Sequence, residues 1–167
     1  MTIIQKNNTL KEDVNLQEAL INAVSETLEG MAFIEVLKAE SKTPYDERMA
    51  RLRVAILINS PFPGEICLVL PVSLAALLVQ NMYNIEEKDL KDELQSDALG
   101  EILNVIAGRL MSAIMPVDQS CQLGLPEIGN DVFLQTDLAS RSIEFRAEEN
   151  PFWILLVGDT FEKEKLE

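Results

Sequence analysis

Residues 97–108 read DALGEILNVIAG and lie in the longest periodic segment of the chain, residues 94–115, which Pro116 ends. At about 100° per residue, the polar side chains and glycines of this segment fall on one side of a helix. They are Asp97, Gly100, Glu101, Asn104, Gly108 and Ser112. The apolar residues cover the remaining surface, which is broad enough to pack on a sheet. The sequence therefore predicts a long amphipathic helix with one polar face.

Three residues of the polar face are unusual for a helix that only faces water. Gly100 and Gly108 each cost about 1 kcal/mol relative to alanine inside a helix, and Asn104 is a weak helix former. Glycines on either side of Asn104 leave its carboxamide accessible to a partner, and Glu101 lies beside it, three residues earlier. Composition alone leaves two interpretations open, an ordinary solvated face and a docking surface.

Other periodic segments extend on both sides of this helix. A helix is predicted over residues 15–29, ending at Gly30, and a short one over residues 73–82 with Ser73 as its N-cap. The charged residues 86–93 indicate a solvated connection into the long helix. Residues 129–138 are ambiguous between strand and loop. Strand-like runs occupy residues 32–38, 48–59, 65–70, 120–125, 141–147 and 152–158.

The two halves of the chain share an order of elements, one long helix followed by three strands. The triplet EAL at residues 18–20 lies 79 residues before DAL at residues 97–99, a weak match that the shared order strengthens. The pattern predicts an α+β fold, a pseudo-twofold duplicated unit with helices packed on a mostly antiparallel sheet. The apolar run 152–157 is a candidate for a sheet edge or subunit interface, and Trp153 for the core or that interface.

Length and charge limit the classes of protein that this chain can represent. With 167 residues, of which 47% are apolar, one domain over residues 1–167 is expected, with flexible ends at residues 1–13 and 160–167. The net charge of −14 disfavours nucleic acid and anionic membrane surfaces as partners. Because no signal peptide or membrane span is recognisable, a cytoplasmic protein is expected.

The residue types that are missing or rare also exclude chemistry. The sequence has no histidine, which removes imidazole bases, the Ser-His-Asp triad and histidine metal ligands. Cys67 and Cys121 are the two cysteines, and they lie far apart in apolar runs without metal or redox spacing. Both are predicted to be buried apolar fillers.

The run 97–108 resembles the helix signature of the bacterial chemotaxis phosphatase family that includes CheC, CheX and FliY. In that family a helical Asp or Ser is followed four residues later by Glu and three residues after that by Asn. Asp97, Glu101 and Asn104 match this pattern in type and spacing, and Pro126 lies where the family has a proline. Residues 23–36 also resemble the first helix and strand of CheX-like proteins.

The first predicted helix departs from the pattern of family members that carry two sites. At the 79-residue offset, Asn22 stands in place of Glu101 and Ser25 in place of Asn104. Glu18 and Asn22 are four residues apart rather than three. The resemblance therefore implies one site per chain, as in CheX-like members.

The resemblance implies a phosphatase that hydrolyses the aspartyl phosphate of a CheY-type response regulator. The catalytic residues would be Glu101, which pairs with the receiver's active-site lysine, and Asn104, which orients the attacking water. Asp97, Gly100 and Gly108 would contribute to docking. No metal or cofactor is implied for this chain itself, because the receiver domain supplies its own Mg²⁺.

Three further expectations accompany this assignment. CheX-like relatives pair through their sheets, so a twofold homodimer is expected. Pro126 is expected to end a strand rather than to touch substrate, and Met111 and Met115 to serve as core fillers or as the rim of a docking site. The alternative function is a non-catalytic adaptor on the same fold, either regulator-binding or related to the flagellar switch.

Overall fold

The computed structural model describes residues 10–44, 46–130, 142–164 and 166. In these ranges the helices are α1 (Leu16–Ala32), α2 (Val72–Tyr83), α3 (Asp92–Ile114) and α4 (Asp159–Glu162), with a 3-10 turn at Glu87–Asp89. The strands are β1 (Val36–Lys38), β2 (Arg51–Ser60), β3 (Gly64–Pro71), β4 (Gln122–Leu123), β5 (Glu127–Asn130), β6 (Ser142–Ala147) and β7 (Asn150–Val157). The fold is α+β, as the sequence predicts.

The strands form one antiparallel sheet in the order β1-β6-β7-β3-β2-β4, with β5 also paired to β2. Without β4, the strand order is β1-β6-β7-β3-β2-β5. Exchanging each strand of the first half of the chain (β1, β2, β3) with its counterpart in the second half (β5, β6, β7) gives the same order read backwards. The central pair β3–β7 then maps onto itself, with Cys67 opposite Leu155 at the middle of the paired stretch. This symmetry is what a duplicated helix-plus-three-strand unit predicts.

One face of the sheet packs against the helices. Because successive strand residues point to opposite faces, alternate positions of β3 and β7 enter the main core, including Ile66, Leu68, Ile154 and Leu156. Residues on the other face form a second buried cluster. Trp153 belongs to that cluster and lies 5.4 Å below the Arg51 guanidinium, which agrees with the core alternative for this residue.

Both predicted long helices form, but their ends differ from the sequence prediction. Asn15 caps α1 by accepting a hydrogen bond from the Glu18 amide at 3.0 Å. Gly30 does not end the helix, because α1 continues until Phe33 adopts a left-handed conformation with φ 56°. Burial of Ala32 extends the packed face of α1 past Gly30 and shortens the strand predicted over residues 32–38 to β1.

The prediction that Ser73 caps α2 is wrong. Strand β3 runs directly into α2, and Pro71 occupies the cap position without a side-chain hydrogen bond. The amide of Val72 is instead satisfied by the Ala50 carbonyl at 3.0 Å. The backbone of a neighbouring segment therefore satisfies the first amide of the helix, and Ser73 lies inside α2 rather than before it.

The apolar strand β7 is not a sheet edge, contrary to one sequence interpretation. It pairs with β3 on one side and with β6 on the other. The strand predicted over residues 120–125 is shorter in the structure, where it is only the two-residue β4. Pro126 separates β4 from β5. The part of the ambiguous segment beyond residue 130, and residue 141, lie outside the described residues.

Described residues from both predicted flexible ends contact the core region. Near the start of the chain, the Lys11 amide donates to the Ile114 carbonyl at 2.7 Å. Near its end, α4 buries Phe161, which meets Phe62 edge-to-face with ring centroids 5.3 Å apart. None of the helices in the described ranges has both the length and the apolar character needed to cross a membrane.

Candidate active site

Helix α3 has one face in the core and one face in solvent. Asp92 and Glu93 lie in its first turn, where carboxylates interact favourably with the helix dipole. Pro116 lies just after its end. Proline has no backbone N–H, so it cannot donate the hydrogen bond that would continue the helix. The buried face is apolar and includes Leu99, Ile102, Leu103, Ile106 and Leu110. This burial fixes which residues of α3 face outward.

The outward face carries the residues that the family signature selects. Asp97, Glu101 and Asn104 are all exposed on α3, one helical turn apart in succession. Together with Gly108 they form what we call the polar stripe. In the ranges that the structure describes, neither Glu101 nor Asn104 has a side-chain hydrogen bond or ion pair. Both groups are therefore available to a partner protein.

The two glycines of α3 have opposite environments. A Cβ atom placed on Gly108 would meet no atom within 4 Å, so the helix backbone is open there. A Cβ atom on Gly100 would lie 3.4 Å from the Cβ atom of Pro126, and Gly100 is buried. Gly108 thus agrees with the predicted open ridge, whereas Gly100 does not. Gly100 allows Pro126 to approach α3 and is itself covered.

Pro126 lies beside the polar stripe, and its contact with α3 was not predicted from the sequence. It separates β4 from β5, as the expectation that it ends a strand suggests. It also packs against Gly100, the residue directly before Glu101. The family proline pattern pointed to this position, but a contact across 26 residues of chain leaves no local signal in the sequence.

The polar stripe lies between two packed segments. Gly100 and Arg109 are nine residues apart, which places them on opposite sides of α3 at about 100° per residue. Pro126 covers the Gly100 side, and on the other side Arg109 forms an ion pair with Glu26 of α1 at 2.7 Å. The exposed Glu101 and Asn104 side chains lie between these two contacts.

The positions of α1 that correspond to Glu101 and Asn104 carry other residues. At the 79-residue offset, Leu20, Ala23 and Val24 are buried as are their counterparts in α3. On the outer face, Asn22 is exposed where α3 has Glu101. Ser25 stands in place of Asn104, is half-buried and donates a hydrogen bond from Oγ to the Val36 carbonyl at 3.4 Å. Of the two helices, only α3 therefore carries an exposed Glu followed three residues later by an exposed Asn; on α1 the exposed Glu18 and Asn22 are four residues apart.

The cysteines are poor candidates for nucleophiles. Burial raises the pKa of Cys67 to about 11, against a smaller opposing effect of the Arg53 charge. Burial also raises the pKa of Cys121, which is half-buried. Both thiols are therefore protonated at neutral pH. Within the described residues, no group of three His, Cys, Asp or Glu side chains is placed to hold a metal ion.

The different glycine environments predict opposite effects on stability. Gly108→Ala should raise the free energy of unfolding by about 0.5–1 kcal/mol, because alanine is the better helix former and meets open space. Gly100→Val should lower it by about 1–3 kcal/mol, because the added methyl groups press on Pro126. Urea unfolding of both variants measures this. Equal shifts for the two would contradict the described environments.

Comparison with known proteins supplies a family. The model for the family described as chemotaxis phosphatase CheX matches residues 53–145, more than half of the chain. The structure is similar to that of CheX from Vibrio vulnificus, with 15% identity, TM-score 0.64, and coverage of 88% of this chain and 98% of the other. No curated protein matches the chain in sequence.

Two further solved structures have the same fold. CheX from Desulfovibrio desulfuricans is 17% identical with a TM-score of 0.63, over 86% of this chain and 98% of the other. CheX from Borrelia burgdorferi, solved in complex with CheY, BeF3 and Mg²⁺, is 15% identical with a TM-score of 0.58, over 86% of this chain and 97% of the other. Since the family model covers more than half of the sequence, the chain belongs to the CheX family of chemotaxis phosphatases.

Proposed function

We propose that this protein hydrolyses the aspartyl phosphate of a CheY-type response regulator by docking the polar stripe of α3 into the receiver active site. The observation that carries the proposal is the pair Glu101 and Asn104, exposed and without side-chain partners among the described residues, in a chain of the CheX phosphatase family. The solved complex of a CheX protein with CheY supports a CheY-type partner. It is the same class of partner that the sequence resemblance implies.

In this proposal Asn104 positions the attacking water. Phosphoryl transfer passes through a loose transition state, so the water needs in-line placement more than a strong base. The Asn104 carboxamide offers one acceptor oxygen and two N–H donors, which are enough to hold a water molecule in one orientation. An acceleration of about 100-fold corresponds to about 2.7 kcal/mol of barrier. A catalytic histidine, which this chain lacks, is not required.

Glu101 provides the second contact with the receiver. Its carboxylate would accept a charge-assisted hydrogen bond from the active-site lysine of the receiver, one turn away from Asn104. That bond would fix the position of α3 relative to the phosphoryl group. Asp97, a further turn away, would support the same contact surface, and Gly108 would let the receiver backbone come close to the helix. The Mg²⁺ ion of the reaction would be held by the receiver.

The proposal is tested by mixing the purified protein with each CheY-type regulator of the same organism after phosphorylation by a small phosphodonor. At least one regulator should lose phosphate faster than it does alone. A protein that binds a phosphorylated regulator without accelerating phosphate loss would instead be the non-catalytic adaptor.

We further propose that the protein forms a twofold homodimer. Among the described strands, the sheet ends at β1 on one side and at β4 and β5 on the other, and such edges have unpaired backbone groups. Leu37 on β1 is a large exposed apolar residue at one of these edges. Light scattering at micromolar concentration should give twice the chain mass of 18.7 kDa. A species of 18.7 kDa alone would contradict the dimer.

A further inference from the structure

An open groove of about 460 Å³ lies beside the C-terminal half of α3. One side is formed by the last turns of the helix, including Gly108, Met111 and Ser112, and by Met115 directly after it. The other side is formed by residues 116–123, which run back along α3 towards Pro126. The groove therefore begins at Gly108, one turn beyond Asn104, and continues the polar stripe.

The lining of the groove is mostly apolar and has no charged side chain. Met111 and Met115 are both buried in the main core and also line the groove, so they serve as core fillers and as part of this surface. Val117 lies at the rim with 95% of its surface exposed. An uncharged surface of this kind is notable in a chain of net charge −14. It favours an apolar side chain as occupant.

Gln119 lines the groove, but one of its side-chain atoms is buried behind the groove wall. The Oε1 atom of Gln119 is buried and accepts no hydrogen bond among the described residues. The backbone amide of Gln119 donates to the Pro116 carbonyl at 3.0 Å, and this turn fixes the residue at the groove wall. A buried acceptor without a donor is unfavourable, but burial also keeps this atom out of reach of a group in the open groove, so it is not part of the docking surface.

The exposed face of α3 is therefore different at its two ends. Glu93, Asp97 and Glu101 are exposed at successive four-residue intervals in the N-terminal half. The C-terminal half presents the uncharged groove instead. A complementary partner surface would place a cation opposite Glu101 and an apolar side chain opposite the groove. Such a surface can dock on α3 in one direction only.

We propose that the groove is a second docking point for the receiver domain of the regulator. It takes one apolar side chain of the receiver and so fixes the direction in which the receiver lies along α3. The inference rests on the proposed function, because the groove adjoins the stripe that would enter the receiver active site. The groove contributes affinity and orientation, and Asn104 contributes the chemical step.

The test compares two neighbouring positions on α3. Ser112 and Ala113 are both exposed, but only Ser112 lines the groove. Ser112→Trp fills the groove, and Ala113→Trp is the matched control. Val117→Asp places a charge at the rim without disturbing the core. Thermal unfolding verifies that the three variants are folded.

The first readout is the Kd for the regulator carrying beryllofluoride in place of the phosphoryl group, because it does not depend on catalysis. Ser112→Trp and Val117→Asp should raise this Kd by about tenfold, whereas Ala113→Trp should change it by less than about twofold. The second readout is the rate of phosphate loss at saturating regulator, which should stay within about twofold of wild type in all three variants.

Several outcomes would overturn the groove assignment. Equal Kd values for Ser112→Trp and Ala113→Trp would show that the receiver does not reach the groove, and the proposed function would stand if wild type still accelerates phosphate loss. A change in dimer mass for Ser112→Trp without a change in Kd would assign the groove to a second copy of the chain. A wild-type protein that binds no beryllofluoride-loaded regulator would overturn the groove, and no acceleration of phosphate loss would overturn the proposed function.

Discussion

Replacing Asn104 by alanine should lower the rate of phosphate loss at saturating regulator by about tenfold or more, with little change in the Kd for the regulator. The carboxamide is the group proposed to hold the attacking water, and its removal leaves Glu101 and Gly108 in place. Because Asn104 is exposed and makes no side-chain hydrogen bond with the described residues, its loss removes no internal interaction. Alanine is also the better helix former.

The matched control for this variant is Asn22→Ala. Asn22 is also an exposed asparagine in the interior of a long helix, α1, so the helix-propensity gain should be similar. Urea unfolding should give equal or slightly higher stability for both variants, and only Asn104→Ala should lose activity. Unchanged phosphate release in Asn104→Ala would favour the adaptor function.

Reversing the charge of Glu101 should have an even larger effect. Glu101→Lys places a cation against the receiver lysine and should abolish detectable acceleration, mainly by weakening the productive complex. Truncating one partner of a closely held charge pair costs about 2–5 kcal/mol, and a reversal adds repulsion. Glu101→Gln keeps the shape of the side chain and a hydrogen-bond acceptor, so it should cost less. Titration with phosphorylated regulator separates the three proteins.

Glu18→Lys is the control for charge. Glu18 is exposed in the first turn of α1, and the substitution changes the net charge by the same two units. It should leave turnover nearly unchanged, because Asn22 and Ser25 do not provide the carboxylate and carboxamide of α3. If Glu18→Lys impairs turnover as much as Glu101→Lys does, the assignment of one site per chain is wrong.

Helix periodicity was sufficient to predict the outward face of α3. The exposure of Glu101 and Asn104 follows from the burial of the apolar positions between them, and the sequence contains that pattern. The duplicated order of elements likewise predicted a sheet whose strand order is symmetric. The helix face depends on residues that are close together in the chain, and the order of elements can be read along the chain even though the strands that pair are distant in it.

The incorrect predictions depend on contacts between distant segments. Gly100 was predicted to be exposed because Pro126, the residue that buries it, lies 26 residues further along the chain. Ser73 is not the cap because β3 runs directly into α2, which begins at Val72, and the Val72 amide donates to the Ala50 carbonyl. The apolar composition of β7 was compatible with an edge or a centre, and pairing with both β3 and β6 decides between them. The groove beside α3 likewise needed the path of residues 116–123.

Multiple-turnover phosphate release tests the central claim most directly. The protein is mixed with a phosphorylated CheY-type regulator in about twentyfold molar excess, and released phosphate is followed over time. A phosphatase should release many phosphates per molecule, at an initial rate proportional to its concentration. Release that stops after one equivalent, or that proceeds at the regulator's own rate for every regulator tried, would contradict the proposed function.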